Sequence, residues 1–224
     1  DTQDASSKDS DLRIQPNDIA SIIYTSGTTA IPKGVMLTHQ NFMANFNSIK
    51  CLGICNQNDN FICILPLFHS YAFMGTLIFP FFMGAKITYL SSLKSQDLLD
   101  CIKSTKVTIL VGVPELFYNI HSAIFNEIKK MPFFARFILN LIMELFWIVR
   151  KWTCLNIAKT IFKKIHSKFG DSLGYFISGG ARLDPAVAAD LFKLGFTILE
   201  GYGLTETSPI VTINPPNKFK IGSV

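Results

Sequence analysis

An α/β fold, with a mainly parallel sheet flanked by helices, is what this sequence predicts, and three observations predict it. Strand-like and helix-like stretches alternate from Asp18 onward, the pattern that lays parallel strands side by side beneath helical crossovers. Several strand-like runs end in a glycine-bearing turn, the place where open α/β sheets put their ligands. The 224 residues, 49% hydrophobic and 17% charged, suffice for one large unit with a sizeable buried core.

Residues 1–17 are polar, short of large apolar side chains, and read as a flexible leader. The first strand, 19–24, is Ile-Ala-Ser-Ile-Ile-Tyr: short, apolar and isoleucine-rich, as a buried strand is. A helix at 38–50 follows, then a strand at 61–65, a helix at 71–83, a strand at 86–90, a helix at 96–104 and a strand at 107–111. Residues 114–170 form a helical apolar segment, with helices at 114–129, 132–151 and 155–168. A strand at 173–177 runs through a Gly-Gly turn into a helix at 185–193, which Asp184 can cap and whose first turn suits Pro185. The strand at 196–199 completes the series. There is no internal repeat and no low-complexity tract.

Residues 24–35 read Tyr-Thr-Ser-Gly-Thr-Thr-Ala-Ile-Pro-Lys-Gly-Val, a loop after a strand that is suited to hold phosphates. Gly27 can take backbone angles that let successive N–H groups converge on an anion, Thr25, Ser26, Thr28 and Thr29 add hydroxyl donors, and Lys33 adds a mobile positive charge. The Ser-Gly-Thr-Thr tetrad alone would suit an ordinary polar turn; the Pro32-Lys33-Gly34 tail sets it apart. This is not the nucleotide triphosphatase P-loop, because Pro32 precedes the lysine and Gly34 follows it. A second stretch, Glu200-Gly201-Tyr202-Gly203-Leu204-Thr205-Glu206-Thr207-Ser208-Pro209, follows the strand at 196–199. A third, Ser178-Gly179-Gly180-Ala181, follows the strand at 173–177. A fourth is Leu65-Pro66-Leu67-Phe68-His69-Ser70-Tyr71, where His69 reads either as a polar neighbour of a substrate or as a hydrogen-bonded core histidine.

In this order the four segments closely resemble the signatures of the adenylate-forming enzymes, above all the long-chain acyl-CoA synthetases. The resemblance covers residues 18–224 and implies a partial N-terminal AMP-binding domain. It implies that the phosphate loop holds ATP, that Ser178 to Ala181 approach adenine, and that Glu200 to Leu204 carry Tyr202 against the base. It further implies that Thr205 reaches the α-phosphate, that Glu206 helps hold Mg²⁺, and that His69 gates or contacts the acyl carboxylate. Lys33, Thr205, Glu206 and His69 are thereby the expected catalytic group, with CoA as co-substrate. Three departures stand out. Ala30 replaces the usual glycine, and at a positive φ alanine costs on the order of 1 kcal/mol. Arg182 replaces a common proline, and Ala72 a glycine often found shortly after the histidine. Measured against the family, an N-terminal portion, the ribose-binding aspartate and the small C-terminal domain with its lysine are expected to be missing, so the chain reads as an excised piece.

Residues 133–152, from Phe133 to Trp152, are nearly all apolar except Arg136, Asn140 and Glu144, spaced four apart, and Arg150 and Lys151 near the end. A charged stripe suits a membrane-spanning helix poorly. An interfacial membrane helix, one lining an acyl tunnel, and one buried in the core all stay open. The net charge of +5 and the lysines of the second half have no nucleic-acid-binding motif beside them; anionic lipid, CoA phosphates or a solvated face account for them. Five cysteines with no Cys-x-x-Cys pair fit a reducing compartment, hence a cytoplasmic protein with possible membrane association. A mean hydropathy of +0.32 fits a chain that buries or binds something greasy. The function expected is ATP-dependent activation of a fatty acid to acyl-adenylate and then acyl-CoA. The alternatives are another carboxylate, an acyl carrier protein as acceptor, or a non-catalytic nucleotide- or lipid-binding protein.

Overall fold

The computed structural model describes residues 13–25, 31–92, 94–153, 156–216, 218 and 220–224. Its centre is a six-stranded sheet built from β3 (Asn60–Cys63), β4 (Lys86–Tyr89), β5 (Ile109–Gly112), β6 (Tyr175–Ser178), β7 (Thr197–Gly203) and β8 (Ile210–Ile213). The strand order is β4-β3-β5-β6-β7-β8. Every pairing is parallel except β7 with β8. Two interior strands, β3 and β5, are buried along their whole length, as a sheet covered on both faces requires.

Period-two alternation sorts the core into two layers. Phe61, Ile109, Val111 and Leu199 face one side, where they meet Phe42, Phe46 and Ile49 of α1 (His39–Lys50) and Phe79 of α3 (Phe79–Met83). Ile62, Leu110, Phe176 and Ile198 face the other. There they meet α4 (Ser95–Thr105), α5 (Pro114–Lys129), α6 (Phe133–Thr153) and α9 (Pro185–Lys193). Thr38 and Asn41 cap α1 reciprocally, and the Asp184 carboxylate accepts the Ala186 N–H at 2.8 Å to cap α9.

Apart from the added strand β8, the structure differs from the sequence reading in four places. The first strand, β1 (Ile19–Thr25), lies outside the main sheet and pairs antiparallel with β2 (Lys33–Thr38), a strand the sequence did not announce. Only Ile23 of β1 is buried, against the α1 layer, while Ile22 and Tyr24 stay exposed. The helix expected at 71–83 is α2 (Ser70–Ala72), a π-helical stretch Phe73–Ile78 and α3. Pro80 has no N–H for the α ladder, and the Thr76 hydroxyl donates to the Ala72 carbonyl at 2.7 Å, so the chain widens by one residue there. The helix expected at 155–168 is broken at Phe162, which leaves helical angles (φ −87°, ψ 28°) to bury its ring. It yields α7 (Ala158–Ile161) and α8 (Lys163–His166).

The fourth difference is α6. Asn140 and Glu144 are exposed, but the basic end of the helix is not wholly solvated. Arg150, expected as part of a basic end, is buried and donates to the Phe192 and Phe196 carbonyls at 2.8 and 2.9 Å and to the Thr197 hydroxyl at 2.6 Å. Its guanidinium lies 3.8 Å from the Phe192 ring centre, and burial lowers its pKa to about 10. Glu144 pairs with Lys193 of α9. Among the described residues no helix is long and apolar enough to cross a membrane.

Candidate functional site

At the carboxyl end of the sheet the site is organised around Ser70 and Tyr71, which open α2 directly after His69. The Ser70 and Thr205 hydroxyls are 2.9 Å apart across 135 residues of sequence. The Tyr71 hydroxyl donates toward the Gly112 and Ile177 carbonyls, each at 3.2 Å, at the ends of β5 and β6. Burial holds this phenol well above its ordinary pKa, so it stays neutral and fixed. These bonds fasten the Leu67-Phe68-His69 segment both to the Thr205 turn and to the strand ends leading into the Ser178-Gly179-Gly180-Ala181 turn.

Close approaches explain the glycines. A Cβ on Gly179 would stand 2.8 Å from the Tyr71 ring, which its two hydrogen bonds prevent from moving aside. A Cβ on Gly203 would collide with the Pro209 backbone, where the chain folds back after the one-turn helix Thr205–Thr207. The register of β7 and β8 shifts between Tyr202 and Gly203 at this fold, and the side chain of Tyr202 stays exposed. Gly180, Ala181, Leu204 and Glu206 are likewise exposed, so both turns keep an open rim.

The predicted phosphate loop sits between β1 and β2. Ser26, Gly27, Thr28, Thr29 and Ala30 lie outside the described residues. Its two flanks are paired, Thr25 with Lys33, and β2 packs against the Thr205–Thr207 turn. An open cleft of about 300 Å³ lies between the hairpin and the histidine segment, lined by Ser21, Ile22, Ile23, Tyr24, Leu67, Phe68 and Phe73. His69 is exposed beside this cleft, its ring 4.4 Å from that of Phe68, which removes the core-histidine reading.

Beside Gly179, two further predicted residues, Ser178 and Glu200, sit beneath the surface. Ser178 is buried, and its hydroxyl is the one buried side-chain N or O atom without a hydrogen-bond partner among the described residues. Glu200 is buried and accepts the Gly222 N–H at 3.2 Å, next to Gly201. Burial raises its pKa, partly offset by that N–H and by the charge of Arg182. Its carboxylate therefore braces the 220–224 segment against β7.

The donor set suits a hard cation. Among the described residues no three His, Cys, Asp or Glu side chains gather into a metal cage. Glu206 offers one exposed carboxylate, and the adjoining Thr205 and Ser70 offer hydroxyls. A single carboxylate with hydroxyls, completed by water and phosphate oxygens, is how Mg²⁺ is usually held. Sequence reasoning overlooked Ser70, Tyr71 and Asn45, whose side-chain oxygen accepts the Ile210 N–H at 2.8 Å and secures β8. Ser70 and Tyr71 were signalled only by their place after His69.

The chain is similar to known proteins over nearly its whole length. The family model described as AMP-binding enzyme matches residues 1–224. Long-chain-fatty-acid–CoA ligase 1 of Saccharomyces cerevisiae is 32% identical over 224 residues, covering 92% of this chain and 31% of the relative. Long chain acyl-CoA synthetase 6, peroxisomal, of Arabidopsis thaliana is 31% identical, covering 88% of this chain and 28% of the relative. The chain thus spans about a third of the length of these curated relatives. The crystal structure of the N-terminal domain of FACL13 from Mycobacterium tuberculosis superposes with a TM-score of 0.63 at 22% identity, covering 92% of this chain and 41% of that one.

Proposed function

This chain belongs to the AMP-binding enzyme family, and from that premise we propose that the complete protein activates a fatty acid to acyl-adenylate and then to acyl-CoA. A carboxylate is a poor acyl donor because its oxygen is a poor leaving group. In the first step a fatty-acid carboxylate oxygen bonds to the α-phosphorus of ATP while the bond to pyrophosphate breaks. In the second, the thiolate sulfur of CoA bonds to the acyl carbon, AMP leaves, and the thiol proton passes to solvent.

The observation that carries the reading is the convergence on Ser70 and Tyr71: the Thr205 turn, the Gly179 turn and the histidine segment meet there, and the base of the phosphate hairpin lies against the Thr205 turn. Catalysis of this kind needs no protein nucleophile; it needs the reactants positioned and phosphate charge neutralised. Thr25 to Thr29 and Lys33 take the β- and γ-phosphates, and Thr205, fixed by Ser70, donates to the α-phosphate. Gly179 to Ala181 and Tyr202 flank the base. Mg²⁺, when held by Glu206, supplies charge neutralisation at the phosphates. His69 meets the acyl carboxylate. The working location is the cytoplasm at a membrane face, where a fatty acid partitions.

Pyrophosphate exchange by the complete gene product, run over fatty acids of graded length and over amino and aromatic acids, tests the proposal. Exchange with long-chain acids, suppressed about a hundredfold or more in Glu206→Gln, is the expected result. No exchange with any acid, or an unaltered rate in Glu206→Gln at limiting Mg²⁺, overturns it. Supplying CoA or an acyl carrier protein after exchange then identifies the acceptor.

A further inference from the structure

The side of α6 facing away from the core is apolar where a soluble surface is polar. Phe133, Phe137, Leu141, Leu145, Ile148 and Trp152 are each between 54% and 82% exposed. At about 100° per residue these six fall within roughly 120° of the helix circumference. They form one stripe about 28 Å long, on the order of 300 Å² in area. Arg150 sits almost opposite the middle of that stripe and is locked to two carbonyls and a hydroxyl beneath it. The helix therefore cannot roll to hide its apolar side. Arg136 and Asn140 lie on the flank, and Glu144, just inside the edge of the stripe, is tied to Lys193.

Charge identifies the occupant. Residues 129–168 hold nine Lys or Arg and one acidic residue, Glu144, a net +8. The remaining twelve basic and fifteen acidic residues carry −3, so the positive charge of the chain is confined to this segment. Lys163, Lys164 and Lys168 are exposed on and after α8, and Phe162, directly before α8, meets Phe146 of α6. Ile157 and Ile161, before and within α7, are also exposed. A second copy of the chain would bring like charge against like.

We propose that α6 lies in the interface of an anionic bilayer, its Phe133-to-Trp152 stripe among the lipid headgroups and upper acyl chains and the lysines of α8 over anionic headgroups. The helix rests on the membrane and does not cross it. This deepens the membrane location of the proposed function and is independent of the adenylation chemistry.

Flotation of the complete gene product with vesicles of phosphatidylcholine alone, and with vesicles also containing phosphatidylserine, tests it. The wild type floats with the phosphatidylserine vesicles and far less with the neutral ones. Leu141→Ser/Leu145→Ser lowers partitioning about tenfold. Lys163→Glu/Lys164→Glu lowers it at least about tenfold on anionic vesicles only. Both variants keep the wild-type melting temperature and pyrophosphate exchange, because none of the four residues belongs to the nucleotide site. Equal flotation on both vesicle types, unaltered flotation of the variants, or no flotation of the wild type overturns the proposal. So does a concentration-dependent dimer that Leu141→Ser/Leu145→Ser abolishes, which assigns the stripe to a second copy. Flotation without exchange, or exchange without flotation, separates this proposal from the enzymatic one.

Discussion

Ser178 carries a buried hydroxyl that no described group satisfies, at the mouth of the turn assigned to the base. Such a group costs stability until a partner arrives. Ser178→Ala is therefore expected to leave thermal stability unchanged or raise it by up to about 1 kcal/mol, and to weaken ATP binding about five- to tenfold. Melting curves and calorimetric titration of the complete protein check both; unchanged affinity would mean that the hydroxyl serves no ligand. At this scale the sequence was informative wherever residue type carries its own chemistry: Gly179, Gly203, Thr205 and Glu206 could be singled out from their motifs. Ser70 and Tyr71 could not, because their roles come from partners 135, 106 and 41 positions away. Glu200 sits in one of those motifs, and its bond to Gly222, 22 positions on, was not legible either.

At the scale of elements, apolar runs of the right length gave away β3 to β7 and most helices, since burial on both faces leaves little room for polar residues. The strands β2 and β8 escaped notice. Lys-Gly-Val-Met-Leu-Thr reads as the tail of a loop, and β8 follows a turn whose shape Gly203 and Pro209 determine between them. The orientation of α6 was also hidden, because helical spacing shows which residues share a side and not which side meets the core. Arg150 settles it. Arg150→Met is expected to destabilise the protein by about 2–4 kcal/mol, since the Phe192 and Phe196 carbonyls would lose charged donors while buried. Chemical denaturation measures this, and stability equal to wild type would show that packing alone holds the helix.

On the scale of the whole molecule, the order β4-β3-β5-β6-β7-β8 brings the ends of β5, β6 and β7 side by side, with the β1–β2 hairpin against the Thr205 turn. Four segments scattered over more than 180 residues thereby share one end of the sheet. Adjacency of this kind is a property of strand order, which composition and periodicity do not encode; resemblance to a family supplied it in advance. Opposite charge balances in 129–168 and in the rest of the chain give the molecule a second polarity.

Hydrogen–deuterium exchange of the complete protein with and without Mg²⁺ and ATP tests the common site most directly. The account predicts that nucleotide slows exchange together in residues 25–34, 178–182 and 201–207, and leaves α6 unchanged. Protection confined to one of these segments, or absent from all three, would contradict it.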